Sequence, residues 1–214
     1  MQGRDKLWIP LAGRITLART IDVFHASPAI ATIVVVTNSE RLADTRALCQ
    51  QEQWHKVTAV VPGGARRQDS VRNGLDALAT LTPVCRWVMI HDGARPFVTP
   101  TMLEAGLQAV QAHGAVIAAV PVKDTIKQVY DGKISSTLDR STLWAVQTPQ
   151  IFSFELIHHA HHLPLAQEDV TDDATLLERL GHTVMVFPGS YTNIKITTQE
   201  DLLFAEACLR GLDS

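Results

Sequence analysis

Short apolar runs rich in β-branched residues alternate along this chain with segments of helical periodicity, and this alternation limits the fold more than any other feature. Predicted strands cover residues 30–37 (IATIVVVT), 57–61, 87–90, 115–120 and 183–187, and predicted helices cover 15–25, 42–53, a stretch from Arg67, 100–113 and 199–209. Such alternation is typical of βαβ units. The nearly continuous run at 30–37 suits a strand that is covered on both faces. We therefore predict an α/β fold, a doubly wound domain on a mostly parallel sheet.

The segment after residue 120 departs from this alternation. Residues 125–130 and 134–138 have strand character and flank Asp131-Gly132, which is a typical hairpin turn. Because an isolated two-stranded hairpin is marginal in water, it should pack on something. We therefore expect residues 122–143 to form a projecting β-arm that packs on a second copy of the chain. Without a visible repeat or linker, residues 1–214 read as a single domain.

The composition and net charge argue against some classes of binding partner but identify none. The 214 residues are 46% apolar and 19% charged, with a formal net charge of −3, so nothing favours binding to nucleic acid or to an anionic membrane. No stretch approaches the roughly 18 apolar residues that span a bilayer. Cys49, Cys85 and Cys208 lack metal-ligand spacing. We expect a soluble cytoplasmic protein whose phosphate sites are built locally from a few Lys and Arg residues.

Three polar clusters follow predicted strands, where ligands bind in open α/β sheets. Gly63-Gly64 precedes a helix, whose free amides would favour phosphate. Asp92 follows a buried strand and could offer oxygen to Mg²⁺. Lys195 follows the last strand and supplies a cation. Each cluster also has a purely structural explanation, namely a turn, a cap and a solvated lysine. These residues alone indicate a possible phosphate site and little more.

A resemblance to a known family makes the prediction more specific. Residues 88–96 (VMIHDGARP) resemble the signature of the 2-C-methyl-D-erythritol 4-phosphate cytidylyltransferases. Further blocks in the family's order are 5–8 (DKLW), 64–71 (GARRQDSV), 122–127 (VKDTIK), 138–140 (LDR), 143–150 (LWAVQTPQ), 170–172 (VTD) and 193–197 (NIKIT). The resemblance extends from Met1 to about Leu209. It implies a Rossmann-like nucleotidyltransferase that transfers CMP from CTP to methylerythritol phosphate in the non-mevalonate isoprenoid pathway, with pyrophosphate as the second product.

The resemblance also implies roles for individual residues. Those matched to catalysis are Lys6, Lys195 and Arg140, and those matched to the nucleotide are Gly64, Ser70, Asp92, Gly93 and Ala94. Asp92 is also matched to the Mg²⁺ ion. Residues matched to the sugar-alcohol phosphate are Thr125, Arg140, Thr148, Thr171 and Lys195. In the family the arm reaches the neighbouring subunit's site, so a homodimer with exchanged arms is expected.

Several alternatives remain open. The nearest is a cytidylyltransferase for ribitol 5-phosphate, although residues 171–173 and the arm favour methylerythritol phosphate. A non-catalytic nucleotide-binding paralogue is a second alternative. NAD binding is disfavoured because no GxGxxG follows a strand. His158 could share a helical face with His161 or His162 at zinc-like spacing. Since no Cys or carboxylate joins them at ligand spacing, we interpret this cluster as a solvated helix end.

The first residues lead to a further expectation. The predicted helix at 15–25 follows no strand, whereas the other helices of the core do. In the resembling family, a strand and a Gly-rich loop with an arginine come before the position of Met1, and this loop grips the triphosphate. We therefore expect roughly 20 upstream residues that form a ~5-residue strand and a long loop.

Overall fold

The computed structural model describes residues 5–212, apart from the side chains of Gln167 and Leu212. The strands are β1 (Pro10–Leu11), β2 (Arg14–Ile15), β3 (Ile33–Thr37), β4 (Val57–Pro62), β5 (Trp87–Ile90), β6 (Ala115–Pro121), β7 (Lys127–Tyr130), β8 (Lys133–Thr137), β9 (Trp144–Ser153) and β10 (Met185–Pro188). The α-helices are α1 (Thr16–Ala26), α2 (Leu42–Gln51), α3 (Arg67–Ala79), α4 (Pro100–His113), α5 (Phe154–His161), α6 (Ala174–Arg179) and α7 (Gln199–Leu212).

The predicted α/β class is confirmed, and the main sheet is mixed. Four strands lie in the order β10-β6-β9-β5. β10 is parallel to β6, whereas β9 is antiparallel to both of its neighbours. β3 and β4 form a separate parallel pair. The sequence interpretation missed β9, because Gln147, Thr148, Pro149 and Gln150 interrupt its apolar pattern. This missed strand is what makes the four-stranded sheet mixed rather than mostly parallel.

Helices cover both faces of the four-stranded sheet. Consecutive residues of a strand point to opposite faces, and β9 shows this directly. Phe152 packs in one core cluster with Leu176 of α6 and Ile157 of α5. Ile151 packs in another with Leu103 of α4. All five side chains are fully buried. The carboxyl end of β5 is thereby fixed between two packed layers.

Most predicted boundaries agree with the structure to within a few residues. α4 begins at Pro100, after Thr99 accepts a hydrogen bond from the Met102 N–H, and it ends at Gly114, whose φ of +78° is the left-handed conformation of a helix C-cap. β3 begins at Ile33, after the first residues of the predicted run. The sequence indicated no strand before α1, but the two-residue strands β1 and β2 pair there.

A gap separates the β3–β4 pair from the four-stranded sheet. Within residues 5–212, β3 pairs only with β4 and β5 pairs only with β9, so each has an edge without a ladder partner. A cavity of about 350 Å³ lies between these two strands. Its apolar lining includes Ile33 and Val34 from β3, Val88 and Met89 from β5, and Leu78 from α3. The gap therefore has apolar walls on both sides.

The arm is a hairpin, as the sequence predicted. β7 and β8 pair across Asp131 and Gly132, whose φ angles of 49° and 77° are those of a type I′ turn. Val129, Tyr130 and Ile134 are 52%, 63% and 65% exposed. The hairpin thus presents apolar side chains to solvent within a single chain.

Two smaller expectations concern the cysteines and the membrane. Cys49, Cys85 and Cys208 are all free and only partly exposed. Among residues 5–212, no helix has the length and apolar character needed to cross a membrane. The cytoplasmic location stays a prediction.

Candidate active site

Asp92 lies just beyond the carboxyl end of β5, where an open α/β sheet forms its ligand crevice. Lys195 Nζ is 3.0 Å from Oδ2 of Asp92. Arg95 Nε is 3.6 Å from the same oxygen, and Arg67 Nε is 3.8 Å from Oδ1. Burial raises the pKa of Asp92, but these cations more than offset it and hold the pKa below its usual value. An ionised carboxylate therefore lies at the centre of a cationic cluster.

Thr148 of β9 positions the backbone of Asp92. The Asp92 N–H donates to Thr148 Oγ1 at 3.0 Å, and this hydroxyl lies 3.2 Å from His91 Nδ1. His91 Nε2 is 3.1 Å from the Arg95 carbonyl oxygen. Burial lowers the pKa of His91 to about 4, so the ring is neutral. Its Nε2–H donates to the carbonyl, and its Nδ1 accepts from the hydroxyl. The buried Thr148 thus supports Asp92, and its predicted contact with the substrate stays a prediction.

The loop that carries Lys195 is attached to the Asp92 loop by hydrogen bonds. The Ile196 N–H donates to the Ala94 carbonyl at 2.9 Å. Arg95 Nη1 donates to the Asn193 carbonyl at 2.8 Å. The fully buried Asn193 amide in turn donates to the backbone of β9 at 2.9 Å. These contacts explain why the ammonium group of Lys195 is held beside Asp92.

Gly63-Gly64 connects β4 to the N-terminus of α3. The Gly64 N–H donates to Ser70 Oγ at 3.0 Å, so Ser70 supports the loop from within the helix. A Cβ on Gly64 would lie 2.3 Å from Cβ of Asp69, and this close approach requires glycine. Asp69 accepts from the Arg66 N–H at 3.2 Å and caps the helix. The free amides and dipole of α3 then favour an anion at this edge of the cleft.

Two connected cavities bring most of the predicted residues together. The first, of about 600 Å³, is lined by Gly63, Gly64, Ser70, Asp92 and Gly93 among others. The second, of about 650 Å³, is lined by Lys6, Asp92, Gly93, Ala94 and Lys195 among others. Asp92 and Gly93 belong to both linings. The combined cleft is large enough for a nucleotide and a second phosphorylated substrate.

The cleft offers ligands that suit Mg²⁺. Carboxylates of Asp5, Glu40 and Asp92 line the second cavity. Mg²⁺ prefers such oxygen ligands and is usually held by one or two carboxylates together with substrate phosphates. The residues present therefore fit the expected ion.

A buried polar network behind the cleft was missed by the sequence analysis. Arg67 Nη2 is 2.7 Å from Oδ2 of Asp173, which is fully buried. Oδ1 of Asp173 is 3.2 Å from His161 Nε2. The backbone N–H of Asp173 donates to Gln150 Oε1 at 3.1 Å. The network orients Arg67 toward Asp92. The only available signal was that Arg67 and Gln150 lie within blocks that resemble the family.

Besides the buried Thr148, three predicted site residues line neither cavity in this single chain. Thr125 and Arg140 are exposed on the arm, and Arg140 Nη1 donates to the Lys123 carbonyl at 2.8 Å. Thr171 is exposed in the segment before α6. None of the three lines either cavity.

Comparisons with known proteins agree with this site. A family model described as "IspD: 2-C-methyl-D-erythritol 4-phosphate cytidylyltransferase" matches residues 1–211. The chain belongs to this family. The enzymes of that name from Dehalococcoides mccartyi and Syntrophotalea carbinolica are 44% and 48% identical to it over 211 residues. These matches cover 98% and 96% of this chain and 90% and 88% of the relatives.

A solved member of the IspD family has the same fold. The 4-diphosphocytidyl-2C-methyl-D-erythritol synthase from Anaerococcus prevotii superposes with a TM-score of 0.84 at 32% identity. The match covers 95% of this chain and 93% of that one. The resemblance identified from the ordered sequence blocks is therefore confirmed, and the Rossmann-like nucleotidyltransferase fold with it.

Proposed function

We propose that this chain transfers CMP from CTP to 2-C-methyl-D-erythritol 4-phosphate, giving 4-diphosphocytidyl-2-C-methyl-D-erythritol and pyrophosphate. Membership of the IspD family over residues 1–211 carries the proposal. The cleft supports it, because the ionised Asp92, two lysines and a helix N-terminus lie around a space for two phosphorylated substrates.

The chemistry needs alignment and positive charge more than it needs a strong base. A phosphate monoester has a second pKa near 6, so it is mostly dianionic at neutral pH. One of its oxygens forms a bond to the α-phosphorus of CTP, and the bond from that phosphorus to the bridging oxygen of the β-phosphate breaks. Pyrophosphate leaves with that electron pair. Lys6 and Lys195 line the cleft and stabilise the negative charge that builds up in the transition state.

A divalent cation completes this charge balance. We propose that Asp92 holds Mg²⁺, which when bound neutralises part of the triphosphate charge. Asp92 lies 3.0 Å from Lys195, so both groups are directed at the same region of the cleft. The Gly64 loop and Ser70 are proposed to hold the cytidine side of the nucleotide, opposite these charges.

The substrate assignment is tested by comparing two alcohol phosphates. With CTP and Mg²⁺, methylerythritol phosphate should support faster pyrophosphate release than ribitol 5-phosphate at equal concentrations. Faster turnover of ribitol 5-phosphate would instead favour that alternative. Calorimetric binding of CTP without any turnover would favour the non-catalytic paralogue, and preferential binding of NAD would contradict the nucleotide assignment.

We further propose that two copies form a homodimer in which the arms exchange. Val129, Tyr130 and Ile134 are apolar and more than half exposed on the hairpin. A second copy would cover this surface. Exchange would also carry Thr125 and Arg140 toward the partner's cleft, where both are proposed to contact the sugar-alcohol phosphate.

A mixed dimer of inactive chains tests the exchange. Chains with Lys6→Ala are combined with chains carrying Arg140→Ala, and subunits are allowed to reassort. If Arg140 acts in the partner's site, one of the two sites in each mixed dimer keeps both residues. Activity should then recover to roughly a quarter of wild type, because about half of the dimers are mixed. Mixed dimers confirmed by mass spectrometry that remain inactive would show that each site is built from one chain.

A further inference from the structure

The histidines at the end of α5 lie against a carboxylate from a different helix. His158 and His162 are one helical turn apart, and Asp76 of α3 faces both. No carboxylate joins these histidines at ligand spacing in the sequence, but α3 packs on α5 and brings in Asp76, which is distant in sequence. The interpretation as a solvated helix end fails for His161, which is buried against Asp173.

The spacing of the ligand atoms suits a transition-metal ion. Asp76 Oδ1 is 3.0 Å from His158 Nε2 and 3.2 Å from His162 Nε2, and the three atoms lie within 4.8 Å of one another. Around a tetrahedral zinc ion with bonds of about 2.0–2.1 Å, neighbouring ligand atoms are separated by about 3.3 Å. Small side-chain adjustments would therefore let all three atoms bind one ion.

A hydrogen bond to the backbone fixes the orientation of the His162 ring. Its Nδ1 lies 2.8 Å from the His158 carbonyl oxygen, which can only accept, so Nδ1 carries the proton. In a neutral ring, Nε2 then presents a lone pair to the Asp76 carboxylate. A metal ion between these two atoms would bind to both. A hydrogen bond from the other ring nitrogen to a backbone carbonyl is also the usual support of a metal-binding histidine.

The second histidine is oriented by packing. The His158 ring stacks on Phe154 with centroids 5.2 Å apart and an interplanar angle of 15°. The side chains of Asp76, His158 and His162 are 47%, 30% and 45% exposed, so an ion can enter from solvent. The ligands are thus positioned by the fold and remain accessible.

We propose that Asp76, His158 and His162 form a Zn²⁺ site that links α3 to α5, with water as the fourth ligand. Two imidazoles and one carboxylate favour zinc over magnesium, which prefers oxygen ligands alone. The site is separate from the catalytic cleft, because Asp76 is nine residues beyond Arg67 and so about 13 Å along the helix. Since α3 begins at the Gly64 loop, bound zinc would stiffen the helix that supports this loop.

Zinc titration of the untagged, metal-free protein tests the site. Excess Mg²⁺ is included so that oxygen-only sites such as Asp92 are occupied. Calorimetry should show one Zn²⁺ per chain, and Co²⁺ should give the visible absorption of a tetrahedral complex. Saturating zinc should raise the melting temperature of the wild type.

Matched variants identify the ligands. Asp76→Asn and His162→Ala should each weaken zinc binding by at least ~10-fold and reduce the rise in melting temperature, while circular dichroism stays unchanged. His159→Ala removes an exposed histidine from the same helix that is outside the cluster, and it should bind zinc like the wild type. Absence of stoichiometric binding to the wild type would overturn the proposal. Equal affinity in Asp76→Asn, His162→Ala and the wild type would also overturn it.

Discussion

Replacing Lys195 with alanine is expected to lower kcat for cytidylyl transfer by about 10²–10³-fold, the usual cost of removing one group that stabilises charge in the transition state. Lys195 Nζ lies 3.0 Å from Asp92 Oδ2, and hydrogen bonds from Arg95 and Ile196 hold its loop in place. The cation is therefore positioned before substrate arrives. Since it should bind the attacking phosphate mainly in the transition state, kcat should fall more than KM rises.

Arg140→Ala should cause a loss of similar size, provided that the arm reaches a cleft in the dimer. Arg210→Ala is a suitable control, because it removes an exposed positive charge from α7, away from the cleft. Melting temperatures should stay close to wild type for the Lys195 and Arg140 variants, since both side chains are largely exposed. Near wild-type kcat in either variant would remove that residue from the proposed machinery.

The sequence predicted those parts of the fold that depend on local patterns. β5 and α4 were predicted with the bounds that the structure shows, because an apolar run and helical periodicity are local signals. β9 was missed, because its central residues are polar and its burial comes from the strands on both sides. Of α5 only the histidine end was interpreted as helical, and α6 was missed, since both helices are short and their apolar faces are defined by tertiary packing.

In the candidate site too, the residues placed by local patterns could be predicted, whereas those brought together by tertiary packing could not. Each of three site residues follows a strand, namely Gly64, Asp92 and Lys195. Because ligands bind at the carboxyl ends of strands in an open α/β sheet, the sequence could predict that these residues lie near one another. The pairing of Arg67 with the buried Asp173 could not, because 106 positions separate the two residues in the printed numbering and no spacing rule connects them. The approach of Asp76 to His158 likewise depends on how α3 packs against α5.

The gap between the β3–β4 pair and the four-stranded sheet should accept an added strand. β3 and β5 each have an unpaired edge among the described residues, and apolar side chains line the space between them. Leu7 lines a smaller cavity of about 160 Å³ together with Val36 and Met89, so residues near the start of the described chain lie at one end of the gap. An apolar strand attached to the N-terminus could therefore enter the gap and pair with both strands.

We expect that about 20 added residues, a ~5-residue apolar strand followed by a Gly-rich loop, will stabilise the fold and increase CTP turnover. Over the ~5 residues of the strand alone, each apolar side chain buried from water contributes about 1.5–3 kcal/mol, and ordering each residue costs about 1–2 kcal/mol. The net gain should be a few kcal/mol, which corresponds to a rise in melting temperature on the order of 10 °C. Turnover should increase because the loop would add backbone amides that bind the triphosphate.

The test compares the 214-residue chain with two extended chains. One carries the apolar strand, and the other carries an extension of equal length in which the apolar strand positions are serine and aspartate. Only the first should raise the melting temperature, and it should also slow hydrogen exchange at the amides of β3 and β5, because a strand in the gap gives their free edges ladder partners. If both extensions raised the melting temperature, the added chain length and not the apolar strand would be the cause. Equal stability and turnover in all three proteins would show that the gap does not accept a strand.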